Sequence, residues 1–139
     1  MIPLAAAVLV LRLWPQDTGL AYGLTPTPSQ LTALTDRLVH DLRAQGLAVR
    51  TSPVPCDDVA CARRVGRAAG AETVIFGATI REMAMIWATS ATVVDVATGQ
   101  TTVWQGGYKG DYQTMLVGID AIAPKLAQAV RAGPRPPVK

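Results

Sequence analysis

Residues 67–80, RAAGAETVIFGATI, decide the fold, because they join the end of a helix to the start of a buried strand. The helix is predicted over residues 58–69. Gly70 ends it, since glycine readily takes the left-handed conformation that follows a helix. Residues 73–80 are largely apolar on both faces, which is typical of a central strand covered on two sides. Gly77 in this strand leaves room for close approach of a backbone or helix. This stretch therefore predicts a sheet with helices on both faces.

Toward the C-terminus the sequence predicts a hairpin and a last helix. The hairpin strands are residues 85–96 and 101–108, joined by the turn DVATG at residues 95–99. In this turn Asp95 can accept hydrogen bonds from backbone amides, and Gly99 can take a positive φ. A helix with an apolar stripe begins near Asp111, and Pro124 is expected to kink it or split it in two.

Toward the N-terminus a strand over about residues 5–13 leads through a loop at residues 14–27 to another helix. Thr27 is its predicted N-cap, Pro28 its first residue, and Gly46 its end. Residues 47–51 form a short strand. The order β-α-β-α-β-β-β-α predicts a mixed sheet with helices on both faces. Its first three strands are parallel through right-handed crossovers, and the short link after Ile80 makes the fourth antiparallel.

Length and composition fit one domain. Half of the 139 residues are hydrophobic, so a core can be buried. We expect a single domain over residues 1–132 and a flexible tail, rich in proline, over residues 133–139. Residues 1–11, MIPLAAAVLVL, suit either a buried strand or the remnant of a signal peptide. Length and flanks favour the strand, in which case any export signal has been removed or lies upstream.

The charge pattern argues against nucleic acid as a partner. The formal net charge is +3, and the basic residues are scattered along the chain, whereas nucleic-acid binders concentrate them on one surface. Only Arg63, Arg64 and Arg67 cluster. They suit a solvated helix face, or alternatively a surface that docks an acidic protein partner. No apolar run approaches the roughly 20 residues of a transmembrane helix, so no membrane-spanning segment is predicted.

Cys56 and Cys61 stand in the motif C-x4-C, where a loop enters the helix at 58–69. A structural disulfide is the favoured interpretation, and it implies an oxidising compartment. Inert thiols and redox or metal chemistry remain alternatives. A thioredoxin-type site requires C-x-x-C, and zinc needs about four ligands, which two cysteines and the distant His40 do not supply.

No constellation in the sequence points to catalysis. His40 suits a solvated helix position, and Asp57 or Asp58 suits a helix cap. The glycines of QGGYKGD, residues 105–111, lack the G-x-G-x-x-G spacing of a dinucleotide site. We therefore predict no catalytic residues, no metal site and no cofactor.

The stretch from Cys56 to Gly110 resembles the small periplasmic domains related to the N-terminal domain of TolB, among them LpoB and CsgG. The similar features are C-x4-C entering a helix, the glycine–alanine–valine–glycine pattern of residues 70–77, and the hairpin VVDVATG at residues 93–99. The resemblance implies a three-layer α/β/α sandwich with five strands in the order 2-1-3-4-5, the fourth antiparallel, and three helices. It implies action by protein contact in the bacterial envelope, and no catalytic residues to carry over.

These observations lead to one main functional hypothesis and two alternatives. The main hypothesis is a periplasmic, non-catalytic protein-interaction module, an accessory subunit or regulator of an envelope or membrane-bound assembly. An exposed hydrophobic patch or a free sheet edge would support it. The first alternative is a small-ligand or sensory domain with a pocket near the carboxyl ends of the strands. An enzyme is the second.

Overall fold

The computed structural model describes residues 8–12, 14–15, 27–54, 56–83, 86–110 and 112–133. Its helices are α1 (Pro28–Ala44), α2 (Val59–Ala69) and α3 (Tyr112–Ala132). Its strands are β1 (Val8–Leu11), β2 (Trp14–Pro15), β3 (Val49–Ser52), β4 (Thr73–Met83), β5 (Ile86–Asp95) and β6 (Thr101–Lys109). The predicted tail at residues 133–139 lies, apart from Gly133, outside the described residues.

The strands form a mixed sheet in the order β3-β1-β4-β5-β6. β1 pairs in parallel with both β3 and β4, whereas β5 is antiparallel to both of its neighbours. Numbered without the two-residue β2, this is the order 2-1-3-4-5 with the fourth strand antiparallel. The predicted fold is confirmed.

β2 was not predicted, since residues 14–27 were expected to form a loop. It pairs in parallel with β4, with Trp14 opposite Ala78, while Val10 of β1 lies opposite Ile75. Between these two pairs the N-terminal segment advances by four residues and β4 by three, so the N-terminal segment holds one extra residue, as at a β-bulge. The rest of the predicted loop up to residue 26 lies outside the described residues.

The sheet divides the hydrophobic core in two, because alternate residues of a strand point to opposite faces. Val8 and Val10 belong to the core that α1 and α3 cover. Leu9 and Leu11 belong to the smaller core beneath α2. Helices on both faces complete the predicted three layers.

The ends of α1 follow from local chemistry. The Oγ1 atom of Thr27 accepts a hydrogen bond from the Gln30 backbone N–H at 3.1 Å, and the Thr27 N–H donates to Oε1 of Gln30 at 3.0 Å. This reciprocal pair is a capping box. Pro28 follows in the first turn, and Gly46 takes a φ of +88° after the helix. The predicted cap and stop are therefore present.

α3 continues through Pro124 as one helix, so the predicted split does not occur. Pro124 is exposed, and the buried residues on either side of it form one inward stripe: Ile119, Ile122, Ala123, Leu126 and Ala127. Tertiary packing of such a stripe supplies most of the stability of a helix in a protein, and here it holds the two halves of α3 together.

A bidentate ion pair joins α1 to α3. Nε and Nη2 of Arg37 each donate to a carboxylate oxygen of Asp120 at 2.7 Å. These hydrogen bonds lower the pKa of Asp120 to about 2. Burial raises the pKa of Asp41.

Candidate interaction surface

The sheet face beneath α2 is only partly covered, because α2 has just 11 residues. α2 packs on β1, on β4 and on the end of β5 near Val94 and Val96. Its closest approach is at Gly66, where a Cβ atom would lie 2.6 Å from Val74 and 2.7 Å from Val96. The rest of β5 and the whole of β6 lie beyond its reach.

The uncovered area includes three neighbouring residues from each strand of the β5–β6 hairpin. Alternation from Val94, which packs under α2, places every second residue on this face. Pairing of β5 with β6 sets these residues side by side, and we call them the open face: Ala88, Ser90, Thr92, Val103, Gln105 and Gly107. The three from β5 are half-buried, the three from β6 are exposed, and Val103 is 56% exposed. Gly107 has no side chain and the other five side chains are uncharged; the exposed Lys109 lies on the same face at the end of β6.

The two edges of the sheet differ. β3 is four residues long, and Arg43 donates from Nε (3.2 Å) and Nη2 (2.9 Å) to the carbonyl of Val49. Short edges and edge cations prevent unwanted strand pairing. β6 is the other terminal strand; it has nine residues and no proline. Its open side can accept another strand.

On the other face of the sheet, β6 is covered by the side chain of Trp104. Trp104 is half-buried and packs against the larger core, with Nζ of Lys125 5.8 Å from the centre of its ring. A Cβ atom on Gly106 would collide with the same indole. The glycine therefore gives Trp104 its place, and among the described residues the α2 side of β6 is the uncovered one.

The predicted cysteine pair is joined in the structure as a disulfide, Cys56–Cys61, with Cα atoms 5.6 Å apart. Cys56 is buried in the core beneath α2. Asp58, between the two, is the N-cap of α2, and its Oδ1 accepts from the Cys61 N–H at 2.7 Å. The bridge and the cap together fix the start of the helix.

The three clustered arginines of α2 do not act alike. The Nε of Arg63 donates to the carbonyl of Val96 (3.0 Å) and its Nη2 to that of Ala97 (3.1 Å), so this side chain ties α2 to the β5–β6 turn. Arg64 and Arg67 are exposed. Docking of an acidic partner by Arg63, Arg64 and Arg67 stays a prediction.

The turn residues have the geometry expected of them. Oδ2 of Asp95 accepts from the N–H of Thr98 at 3.0 Å and from its hydroxyl at 2.6 Å. Gly99 has a φ of +78°, and its N–H donates to the carbonyl of Asp95 at 2.7 Å.

Two of the predicted structural glycines lie at the end of α2 and within β4. Gly70 takes a left-handed φ of +69° at the end of α2, as expected. Gly77 is buried in β4 opposite Ala91, and the close approach expected there stays a prediction. A close helix approach occurs at Gly66, which was not predicted. Its signal was a glycine inside a helical pattern, where glycine costs about 1 kcal/mol relative to alanine and usually has a packing reason.

Among the described residues, no three His, Cys, Asp or Glu side chains gather closely enough to hold a metal ion. His40 is exposed, with Nδ1 3.3 Å from Oδ1 of Asp41. No helix of that part of the chain is both long and apolar enough to cross a membrane.

Comparison with known proteins gives structural similarity alone. No protein-family model matches the sequence, and no curated protein matches it either. A PelC dodecamer from Paraburkholderia phytofirmans is similar, with a TM-score of 0.62 at 20% identity over 92% of this chain and 89% of that one. A hypothetical protein from Chlamydia trachomatis has a TM-score of 0.56 at 12% identity, over 92% of this chain and 99% of that one.

The C-terminal domain of LpoB from Salmonella enterica is also similar, with a TM-score of 0.48 at 16% identity, over 78% of this chain and 86% of that one. At such identities a structural likeness concerns the fold alone. The resemblance to TolB and CsgG stays a prediction.

Proposed function

We propose that this chain is a non-catalytic protein-interaction module of the bacterial envelope, an accessory subunit or regulator of an envelope or membrane-bound assembly. The open face beside the free edge of β6 carries this proposal. Exposed uncharged surface next to an unpaired strand is a common means of protein association.

We propose a second copy of this chain as the partner that binds the open face. Each copy has a formal net charge of +3, so copies repel one another except where their contact surfaces are neutral. The open face is such a surface, and Val103, which is 56% exposed there, gains from leaving water. PelC, which shares the fold, assembles as a dodecamer, and this supports a homo-oligomer here.

The disulfide supports a periplasmic location. Cys56–Cys61 closes a short loop at the start of α2, and such bridges persist in oxidising compartments such as the periplasm. For the non-catalytic role, support comes from the charged groups. The shifted carboxyl pKa values within the described ranges are those of Asp41 and Asp120, and both groups belong to the link between α1 and α3.

Sedimentation velocity of the oxidised protein over a hundredfold range of concentration tests the assembly. We expect oligomers that dissociate on dilution, and Val103→Lys should weaken association at least tenfold, because lysine places a charge in the contact. The matched control is Val117→Lys, since Val117 is an equally exposed valine (64%) on α3.

A lone monomer at every concentration, or equal effects of the two variants, would contradict self-assembly. A photo-crosslinking residue at position 103, used in cells, separates the two parts of the proposal. A crosslink between copies supports both. A crosslink only to another envelope protein keeps the interaction module and rejects the second copy, and no protein adduct at all rejects the module.

A further inference from the structure

A cleft lined by charged, hydroxyl-bearing and apolar groups lies at the carboxyl ends of β1 and β3, on the opposite side of the fold from the β6 edge. Its volume is about 250 Å³. Its lining includes residues from three separate segments: Arg12, Thr32, Asp36, Thr51, Ser52 and Pro53. The cleft is independent of the open face and of the proposed assembly.

The topology explains why a cleft forms here. β1 and β3 are adjacent and parallel, but the chain leaves them toward opposite faces of the sheet. β1 leads to α1, on the side of the larger core, and β3 leads to α2, on the other side. Where the connections from neighbouring strands diverge, a crevice opens at the carboxyl ends, and α/β proteins bind ligands in that crevice.

The cleft offers both signs of charge together with hydroxyl groups. Arg12 supplies a half-exposed guanidinium and Asp36 an exposed carboxylate. Within the described residues the ion pairs are Arg37–Asp120 and His40–Asp41, so neither Arg12 nor Asp36 is neutralised there. The Oγ of Ser52 accepts from the Val54 N–H at 3.2 Å, which leaves its own proton to donate.

The charges select the class of ligand. One cation and one anion in the same small cleft favour a molecule that carries both signs, whereas a phosphate would be repelled by Asp36. The volume is below the roughly 300–1,000 Å³ of pockets for drug-sized molecules, so the ligand is small. We propose that the cleft binds a free α-amino acid, with its carboxylate on Arg12, its ammonium group on Asp36 and further hydrogen bonds to Thr32, Thr51 and Ser52.

A titration followed by amide chemical shifts tests this site. The probes are the free amino acids, first in groups and then singly, added to the oxidised, isotopically labelled protein. We expect saturable shifts at residues 32, 51 and 52 for at least one of them. Arg12→Gln and Asp36→Asn should each weaken binding about tenfold or more, because each removes one charge-assisted contact. The matched controls are Arg64→Gln and Asp57→Asn, exposed residues outside the cleft.

Modified amino acids test which cleft residue binds the carboxylate and which binds the ammonium group. The amide of the bound amino acid, which lacks the carboxylate, should bind Arg12→Gln as well as it binds the unaltered protein. The N-acetyl derivative, which lacks the ammonium group, should be equally indifferent to Asp36→Asn. The proposal fails if no amino acid gives saturable shifts, if inorganic phosphate binds more tightly than every amino acid, or if cleft and control variants behave alike while all retain the native spectrum.

Discussion

At the scale of single residues, Gly66 shows how one missing side chain sets the distance between two layers. Its backbone rests on Val74 and Val96, and its carbonyl accepts the Ala71 N–H at 2.8 Å as α2 ends. Any Cβ atom at this point must push α2 away from the sheet.

Gly66→Ala is therefore expected to destabilise the protein by roughly 0–2 kcal/mol. Overpacking costs about 1–3 kcal/mol, and the better helix propensity of alanine returns about 1 kcal/mol. Urea denaturation measures the result. Val74→Ala and Val96→Ala together remove the atoms that collide, so in that double background Gly66→Ala should become neutral or stabilising. If Gly66→Ala stabilises the unaltered protein instead, the close contact does not limit packing.

The residue scale also shows what the sequence could and could not predict. Asp95 and Gly99 act within one turn, Thr27 within one cap, and Cys56 and Cys61 within one short loop, so local chemistry was enough for them. The role of Gly66 depends on Val96, a residue 30 positions away in the sequence. Arg63 likewise finds its partners at Val96 and Ala97, and its own neighbourhood carries no sign of them.

At the scale of elements, α1 and α3 are held by their shared core and by the pair Arg37–Asp120. Both helices were predicted from their apolar stripes. Their ion pair spans 83 positions, which no local pattern reveals. β2 was missed for a related reason: two residues show no periodicity, and only the neighbouring strand β4 makes them a strand.

The pair Arg37–Asp120 predicts a specific dependence of stability on pH. Asp120 has a pKa of about 2 in the folded protein and an ordinary value of 3.8. Ionised Asp120 thus stabilises the folded state fully above about pH 4, and this contribution is lost as the pH falls toward 2. Asp120→Asn should lower the urea midpoint at pH 7 and have little effect near pH 2.

Asp41→Asn is the matched comparison on the same helix pair. Burial raises the pKa of Asp41, so its ionisation opposes folding, and its removal should leave stability at pH 7 unchanged or increased. Urea midpoints measured for both variants from pH 2 to 7 test this difference. If both variants lose the same stability at neutral pH, the stability of the helix pair depends only on net charge.

At the scale of the whole molecule, the order of elements predicted a mixed sheet with helices on both faces, because few topologies satisfy right-handed crossovers and short links. The strand order 2-1-3-4-5 was implied by the resemblance to the TolB-related domains. The open face and the cleft could not be predicted from the order of elements. The first depends on how far α2 extends across the sheet, and the second joins Arg12, Asp36 and Ser52 from three segments. Sequence analysis could name only the kinds of feature to look for, a free edge and a pocket at the strand ends.

The proposed envelope location predicts the redox state of the two cysteines in cells. With thiols blocked by a maleimide before lysis, Cys56 and Cys61 should remain unlabelled, and both should react only after denaturation and reduction, because an oxidising compartment preserves the bridge. A mass-shift gel reads the result. Two labelled cysteines in the unreduced sample would reject a periplasmic location; a cytoplasmically expressed sample serves as the reduced reference.

The unequal borders of the sheet limit how such molecules can be joined. A strand laid along β6 extends the sheet by one partner. The other edge strand, β3, has only four residues, and Arg43 already donates to the carbonyl of Val49, so this edge is much less able to pair with a further strand. Repeated stacking into a fibre needs two receptive borders. A molecule with one receptive border forms assemblies of finite size, and this protects a protein that exposes so long a strand.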